Sequence, residues 1–140
     1  MRLSTKEKVF LRPARIAHLA TADRKAHPHV VPICYVFDGS ALYSPIDEKP
    51  KRASPLDLKR IKNIRSNPHV AVIVDRYSEN WTRLAYVLIL GKARVLTKGK
   101  RHKNAVILLR RKYPQYRRMA IDERPMIQIR PTRIRSWGKL

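Results

Sequence analysis

Apolar and polar positions alternate with two different periods along this chain, and the switches between periods predict its elements. Ser4-Thr5-Lys6-Glu7 sets a serine N-cap three residues before a glutamate, which predicts a short helix to about residue 11, ended by Pro13. Residues 15–22 read as a strand, followed by a polar turn at Asp23-Arg24-Lys25. Residues 29–37, rich in Val, Ile and Tyr, predict a second strand. Asp38-Gly39 is a two-residue hairpin signal leading to a third strand over 41–45. Ser54-Pro55 places a cap and a first-turn proline ahead of a helix to about residue 65, with Leu58, Ile61 and Ile64 as its apolar stripe. Residues 69–75 (HVAVIVD) are nearly all apolar, the pattern of a strand covered on both faces. A turn over 76–83 holds Trp81, and residues 84–96 predict a long strand with Gly91 as a bulge marker. A helix over 100–113 and a helical turn after Pro114 follow. Last comes a strand over 126–136 that alternates around Pro131 as an edge strand does.

The order is helix, three strands, helix, two strands, helix, strand. Hairpin connections and six strands predict a mainly β chain, a six-stranded antiparallel barrel with flanking helices, rather than a βαβ fold. The chain's 140 residues fit one domain spanning 1–140, and a 44% apolar content is enough for a packed core. No window reaches the roughly 18 apolar residues of a membrane span, and MRLSTKEKVF lacks the apolar stretch of a secretory signal. Cys34 is the only cysteine, which excludes an intrachain disulfide and a cysteine-rich metal site. A cytoplasmic location is the resulting expectation.

Charge changes this picture most. Thirty-two Lys and Arg against ten Asp and Glu give a formal net charge of +22. The first seventy residues hold 14 basic and 6 acidic residues and the last seventy 18 and 4, so the charge belongs to the whole surface rather than to a tail. Such a field attracts polyanions, and nucleic acid is the first partner it suggests. A nucleic-acid-binding barrel is therefore an alternative, but a less favoured one: no aromatic-basic strand of the RNA-binding kind is evident, and many tyrosines sit at apolar strand positions.

Self-contained catalytic machinery is not visible. Four glycines, at 39, 91, 99 and 138, cannot build a Walker loop or a GxGxxG turn, and neither GxSxG nor HExxH occurs. His27 and His29, two apart, would share one strand face, but no carboxylate or thiolate cluster accompanies them as a metal site requires. Cys34, mid-strand, reads as a small core residue. These absences favour a bound cofactor that carries the chemistry, or no enzyme at all. One stretch carries a positive signal: Lys49, Lys51 and Arg52 stand just before the predicted helix start at Ser54. Three cations and free N–H groups at a helix N-terminus can hold a phosphate without glycines; a solvent-facing charged loop is the other reading.

The run Arg15-Ile-Ala-His-Leu-Ala-Thr-Ala-Asp23, then His27-Pro-His-Val-Val-Pro-Ile-Cys-Tyr35, Asp38-Gly39, Tyr43, Lys49-Pro-Lys51 and Asn67-Pro-His-Val-Ala-Val-Ile-Val-Asp75 resembles the pyridoxamine-phosphate-oxidase-like split barrels. Lys49-Pro-Lys51, Asp75-Arg-Tyr-Ser-Glu-Asn-Trp81 and Arg133-Ile-Arg-Ser-Trp137 are similar to the branch that uses the deazaflavin coenzyme F-420. The resemblance covers about residues 10–138. It implies a homodimer with two cofactor sites at the subunit interface, each taking F-420 or flavin mononucleotide (FMN), and hydride transfer to or from a small organic acceptor. It also implies that Val31, Pro32 and Ile33 lie along the ring and that Tyr43 and Ser44 line the pocket. Lys49, Lys51 and Arg52 would meet the phosphate, and Trp137 would come from the partner subunit. Trp81 would be either a substrate-side wall or a core anchor. Vitamin B6 chemistry is not implied, since the oxidase itself is longer and carries further substrate-phosphate residues. A non-catalytic FMN or haem carrier on the same barrel is the second alternative.

Overall fold

A computed structural model describes residues 2–47 and 58–140. Its helices are α1 (Thr5–Leu11), α2 (Lys59–Ser66) and α3 (Lys100–Lys112). Its strands are β1 (Ala17–Ala22), β2 (Pro28–Ile33), β3 (Val36–Phe37), β4 (Leu42–Pro45), β5 (His69–Arg76), β6 (Ala85–Leu96) and β7 (Met126–Gly138). The capping box predicted at Ser4 is present, with Ser4 Oγ accepting from Glu7 N–H at 3.1 Å and Glu7 Oε1 accepting from Ser4 N–H at 2.8 Å. The predicted start of the second helix at Ser54 lies outside the described residues; its apolar stripe is buried at Ile61 and Ile64 and half-buried at Leu58.

All seven strands belong to one antiparallel sheet in the order β2-β1-β5-β6-β7-β4-β3. The six expected strands become seven because residues 29–37 are not one strand. They divide at Cys34-Tyr35 into β2 and β3, which stand at opposite edges of the sheet. Ile33 and Val36 are three Cα steps apart, at most roughly 11 Å. The two edges must therefore lie side by side, and only a sheet curled into a barrel, open along one seam, allows that. Cys34 sits in this crossing rather than mid-strand.

The crossing is held in place. Tyr35 is fully buried, and its hydroxyl donates to the Leu11 carbonyl. Its N–H donates to the Tyr113 hydroxyl (3.2 Å), which in turn donates to the Arg15 carbonyl at 2.8 Å. Lys112 Nζ donates to the Tyr35 carbonyl at 2.9 Å and lies 4.1 Å from the Tyr35 ring centroid. Tyr35 was spelled into a strand by its type; what it does is anchor a seam.

Two cores result. Inside the barrel, Leu19, Tyr35, Leu42, Val72, Val87, Ile89, Ile127 and Ile129 pack with Leu3 and Leu11 from the N-terminal segment and Ile61 and Ile64 from α2. Outside it, α3 covers β3, β4 and the start of β7, where Tyr43, Val106, Leu109, Tyr113, Tyr116, Ile121 and Met126 pack together. Gly91 marks a register shift against β7 as expected; a Cβ there would stand 2.5 Å from the Arg130 carbonyl oxygen. The last strand is an edge only in part. Its residues Met126 to Ile129 pair with β4 on one side and β6 on the other, while Pro131 lies past the end of β4, where a missing N–H breaks no bond on that side. The Asp38-Gly39 turn spans four residues, 38–41, because the Asp38 carboxylate accepts from the N–H groups of Ser40 (2.9 Å) and Ala41 (2.8 Å) and fixes a longer loop. Among the described residues no helix is long and apolar enough to cross a membrane.

Candidate functional site

Where the sheet edges meet, the seam leaves a cavity of about 300 Å³ lined by Ile16, Val31, Pro32, Ile33, Cys34, Ser44, Pro45, Asp47 and Arg60. Each wall follows from the topology. β2 pairs with β1 alone, so its other edge offers unpaired backbone groups to the seam. Val31 and Ile33 alternate with Pro32 along that edge, and Ile33 is buried. Ser44 and Pro45 end β4 on the opposite side, and Ser44 Oγ fastens β4 to the crossing by donating to the Cys34 carbonyl at 2.8 Å.

Two polar side chains give the cavity its charge. Asp47 is held by Tyr116, whose hydroxyl donates to Asp47 Oδ2 at 2.7 Å, while Arg124 Nη1 donates to the Asp47 carbonyl at 2.7 Å. Burial pushes the Tyr116 phenol above its ordinary range, and the hydrogen bond to Asp47 adds to the shift. Arg60, one residue before the buried Ile61 on α2, brings a guanidinium to the cavity wall. Its Nε is buried and has no hydrogen-bond partner among the described residues. A buried, unpaired guanidinium N–H is costly, so it marks a place where an anion or carbonyl oxygen fits. His29 Nδ1, two residues from Val31 on the inward side of β2, is the other buried side-chain nitrogen with no partner there.

Behind the seam lies an unusual lysine. Lys112 is pushed down to about 8, chiefly by burial and then by the Arg15 charge beside it. Burial raises Tyr35 and raises Tyr113 to about 12.

Of the residues singled out in the sequence, Val31, Pro32, Ile33 and Ser44 come together at this cavity. Tyr43 alternates to the other face of β4. It is buried in the outer core, its hydroxyl accepts from Gln128 Nε2 at 3.1 Å, and it borders a separate cavity with Arg101 and Asn104. Lys49, Lys51 and Arg52 lie outside the described residues. Trp137 is on the open half of β7, 54% exposed and stacked on Tyr86 at 5.9 Å. Trp81 is 71% exposed in a 3-10 turn (Trp81–Arg83), so it is no core anchor. His27 precedes β2 and bonds the Asp23 carboxylate at 2.9 Å, so it does not share a strand face with His29. That carboxylate is lowered to about 2, first by the His27 backbone N–H it accepts. Among the described residues no group of three His, Cys, Asp or Glu side chains could hold a metal. Arg60, Asp47 and Cys34 are cavity residues that sequence reasoning missed. Arg60 was one cation among thirty-two, and only its place beside the inward stripe of α2 hinted at a role.

Comparisons with known proteins agree on this architecture. The family model described as pyridoxamine 5'-phosphate oxidase matches residues 3–138. No curated protein matches the chain. Among solved structures, HutZ, the heme storage protein of Vibrio cholerae, superimposes with a TM-score of 0.75 at 14% identity, over 99% of this chain and 96% of its own. An FAD-binding protein from Mesorhizobium loti gives 0.71 at 24% identity, over 96% and 94%. An F420 reductase gives 0.64 at 21%, over 95% and 98%. At these identities the likeness is one of fold.

Proposed function

This chain belongs to the pyridoxamine 5'-phosphate oxidase family, and from that premise we propose that it is a cytoplasmic homodimeric oxidoreductase that holds F-420 or FMN at the barrel seam and reduces or oxidises a small organic molecule. The observation that carries the reading is the seam cavity itself, an apolar edge strand facing a buried guanidinium nitrogen that has no partner among the described residues. The residues present fit a flat ring with an anionic tail. Val31 and Ile33 offer an apolar wall, and the free edge of β2 offers backbone donors and acceptors to the ring's polar rim. Arg60 meets the anionic portion, and Lys49, Lys51 and Arg52, just before α2 in sequence, are the further cations we assign to its phosphate. Tyr43, buried behind Ser44, supports the pocket wall from the outer core.

When bound, such a ring supplies hydride transfer. The chain's own residues bind and orient: Ser44 fastens β4 to the crossing at Cys34, and Asp47, positioned by Tyr116, puts a carboxylate on the cavity wall. Trp137, exposed on an uncovered sheet face, is available to a second subunit. The solved structures named FAD-binding protein and F420 reductase share this fold, and they support a flavin-type ring without choosing between F-420 and FMN.

A calorimetric titration with F-420 and with FMN, on wild type and on Arg60→Ala and Lys51→Ala, tests this reading. One cofactor should saturate, and each variant should weaken it by about tenfold, the worth of a charge-assisted contact. Absence of saturable binding for both cofactors overturns the proposal.

A further inference from the structure

We propose that the outward face of α3, with the 3-10 helix that follows it (Pro114–Arg118), is a docking surface for the phosphate backbone of a nucleic acid. From residue 100 to residue 120 the sequence holds eight Lys and Arg and no acid. The fold sorts them. His102, Ala105, Val106 and Leu109 turn inward, while Lys100, Arg101, Lys103, Arg111, Arg117 and Arg118 are all exposed. Lys112 is withdrawn to the seam, where it donates to Tyr35, and Arg110 is consumed internally. It pairs with Asp122 at 3.0 Å and donates to the carbonyls of Tyr116 (3.1 Å) and Met119 (3.0 Å). Those bonds fasten the 3-10 helix to the end of α3, and Arg117 Nε folds back onto the Arg110 carbonyl at 3.3 Å. Three exposed cations thus stand at each end of one rigid unit, roughly 16 Å apart along the helix axis from Lys100 to Arg111.

Helix stability alone favours the opposite arrangement at one of those ends. The first turn of α3 carries no acid, and its Gly99 N-cap makes no side-chain hydrogen bond. Lys100, Arg101 and Lys103 therefore oppose the positive end of the helix dipole, where acids are favoured. A bound anion there removes both the dipole and the like-charge penalty. Four of the six exposed cations are arginines, whose planar fork pairs with phosphate oxygens two at a time.

The chemistry separates this partner from others. A membrane surface needs an exposed apolar stripe beside the cations, and α3 turns its stripe into the outer core, leaving Ile107 alone exposed at 50%. No residue of this surface lines the seam cavity, so nucleic-acid docking on α3 is independent of any cofactor at the seam.

The test is the binding of a fluorescein-labelled single-stranded RNA of about 20 nucleotides to the full chain, followed by anisotropy as salt is raised from about 50 to 200 mM. Wild type is compared with Arg111→Gln/Arg117→Gln/Arg118→Gln and with Lys25→Gln/Lys62→Gln/Arg65→Gln, which removes three exposed charges elsewhere; circular dichroism confirms that all are folded. The α3 triple should bind at least about tenfold more weakly and lower the log–log salt slope by about two, since each phosphate contact on a single strand contributes about 0.7. The control triple should bind within about threefold of wild type. No saturable binding, or equal losses in the two triples, overturns the assignment. Displacement of the RNA by polyglutamate at equal charge also overturns it, and points to an acidic protein partner instead.

Discussion

The two halves of the outer sheet surface are built from one continuous sheet yet end differently. Outside β3, β4 and the first residues of β7, α3 lies over Tyr43 and Met126, and a second core closes around Leu109, Tyr113 and Tyr116. Outside β2, β1, β5 and β6 the register sets Val30, Ala20, Ala71 and Leu90 in one row across four strands, and Pro32, His18, Ile73 and Leu88 in the next. None of these eight residues is buried, and Val30 is 64% exposed. A sheet buries a face only against a second layer. The chain supplies that layer to one half from its own α3. On the other half it offers small alanines flanked by exposed apolar residues, a surface shaped for a second sheet to approach closely. The homodimer proposed above would use this face, which the protomer itself leaves uncovered.

The comparison breaks most sharply in the cores. Leu109→Ala should cost about 2–5 kcal/mol in urea unfolding, because it leaves a hole in a closed layer. Leu90→Ala, 37% exposed on the open face, should cost the protomer less than about 1 kcal/mol. Equal losses at a concentration where the protomer is dissociated would mean that the protomer itself covers the open half.

Alkali should find the covered half next. Tyr35, Tyr113 and Tyr116 all titrate above the ordinary phenol range when folded. Above about pH 10 the unfolded chain releases those protons first, the folded state binds more of them, and stability falls as pH rises. Lys112 has the opposite sign: lowered to about 8 when folded, it is shed there before it is shed by the unfolded chain, so stability gains between about pH 8 and 10.5. Stability followed by urea unfolding should therefore turn downward only above about pH 10. Tyr113→Phe should make that fall shallower, although it costs about 1 kcal/mol at neutral pH through lost hydrogen bonds. An unchanged slope would show that the outer core does not govern alkaline unfolding.

The smallest effect on the protomer and the largest on assembly should come from the open half. Ala20→Arg with Ala71→Arg places two charges at the centre of the row, and light scattering should report a monomer whose circular dichroism is unchanged. A persisting dimer would move the interface to another face.

Much of the fold was legible in order and period. The capping box at Ser4, the stripe at Leu58, Ile61 and Ile64, the bulge at Gly91 and the helix from Lys100 are local features, written within a few residues of where they act. The division of residues 29–37 was not legible, because Cys34 and Tyr35 have the side chains of strand residues and leave the strand for reasons that lie in Tyr113, Leu11 and Lys112, 24 to 78 positions away. The candidate site divided along the same line. Val31, Pro32, Ile33 and Ser44 were visible through a resemblance carried by short consecutive runs. Arg60 and Asp47 reach the cavity only because two sheet edges meet there, and Tyr43, adjacent to Ser44, faces away because neighbours on a strand point to opposite faces.

By itself the amino-acid sequence determined the kind of most elements, the antiparallel barrel class and the total charge, since these depend on local period, turn chemistry and composition. Only the tertiary structure decided which strands became edges, where the seam opened and which cations remained exposed. Those outcomes depend on contacts between distant segments, and a contact has no address in a single stretch of sequence.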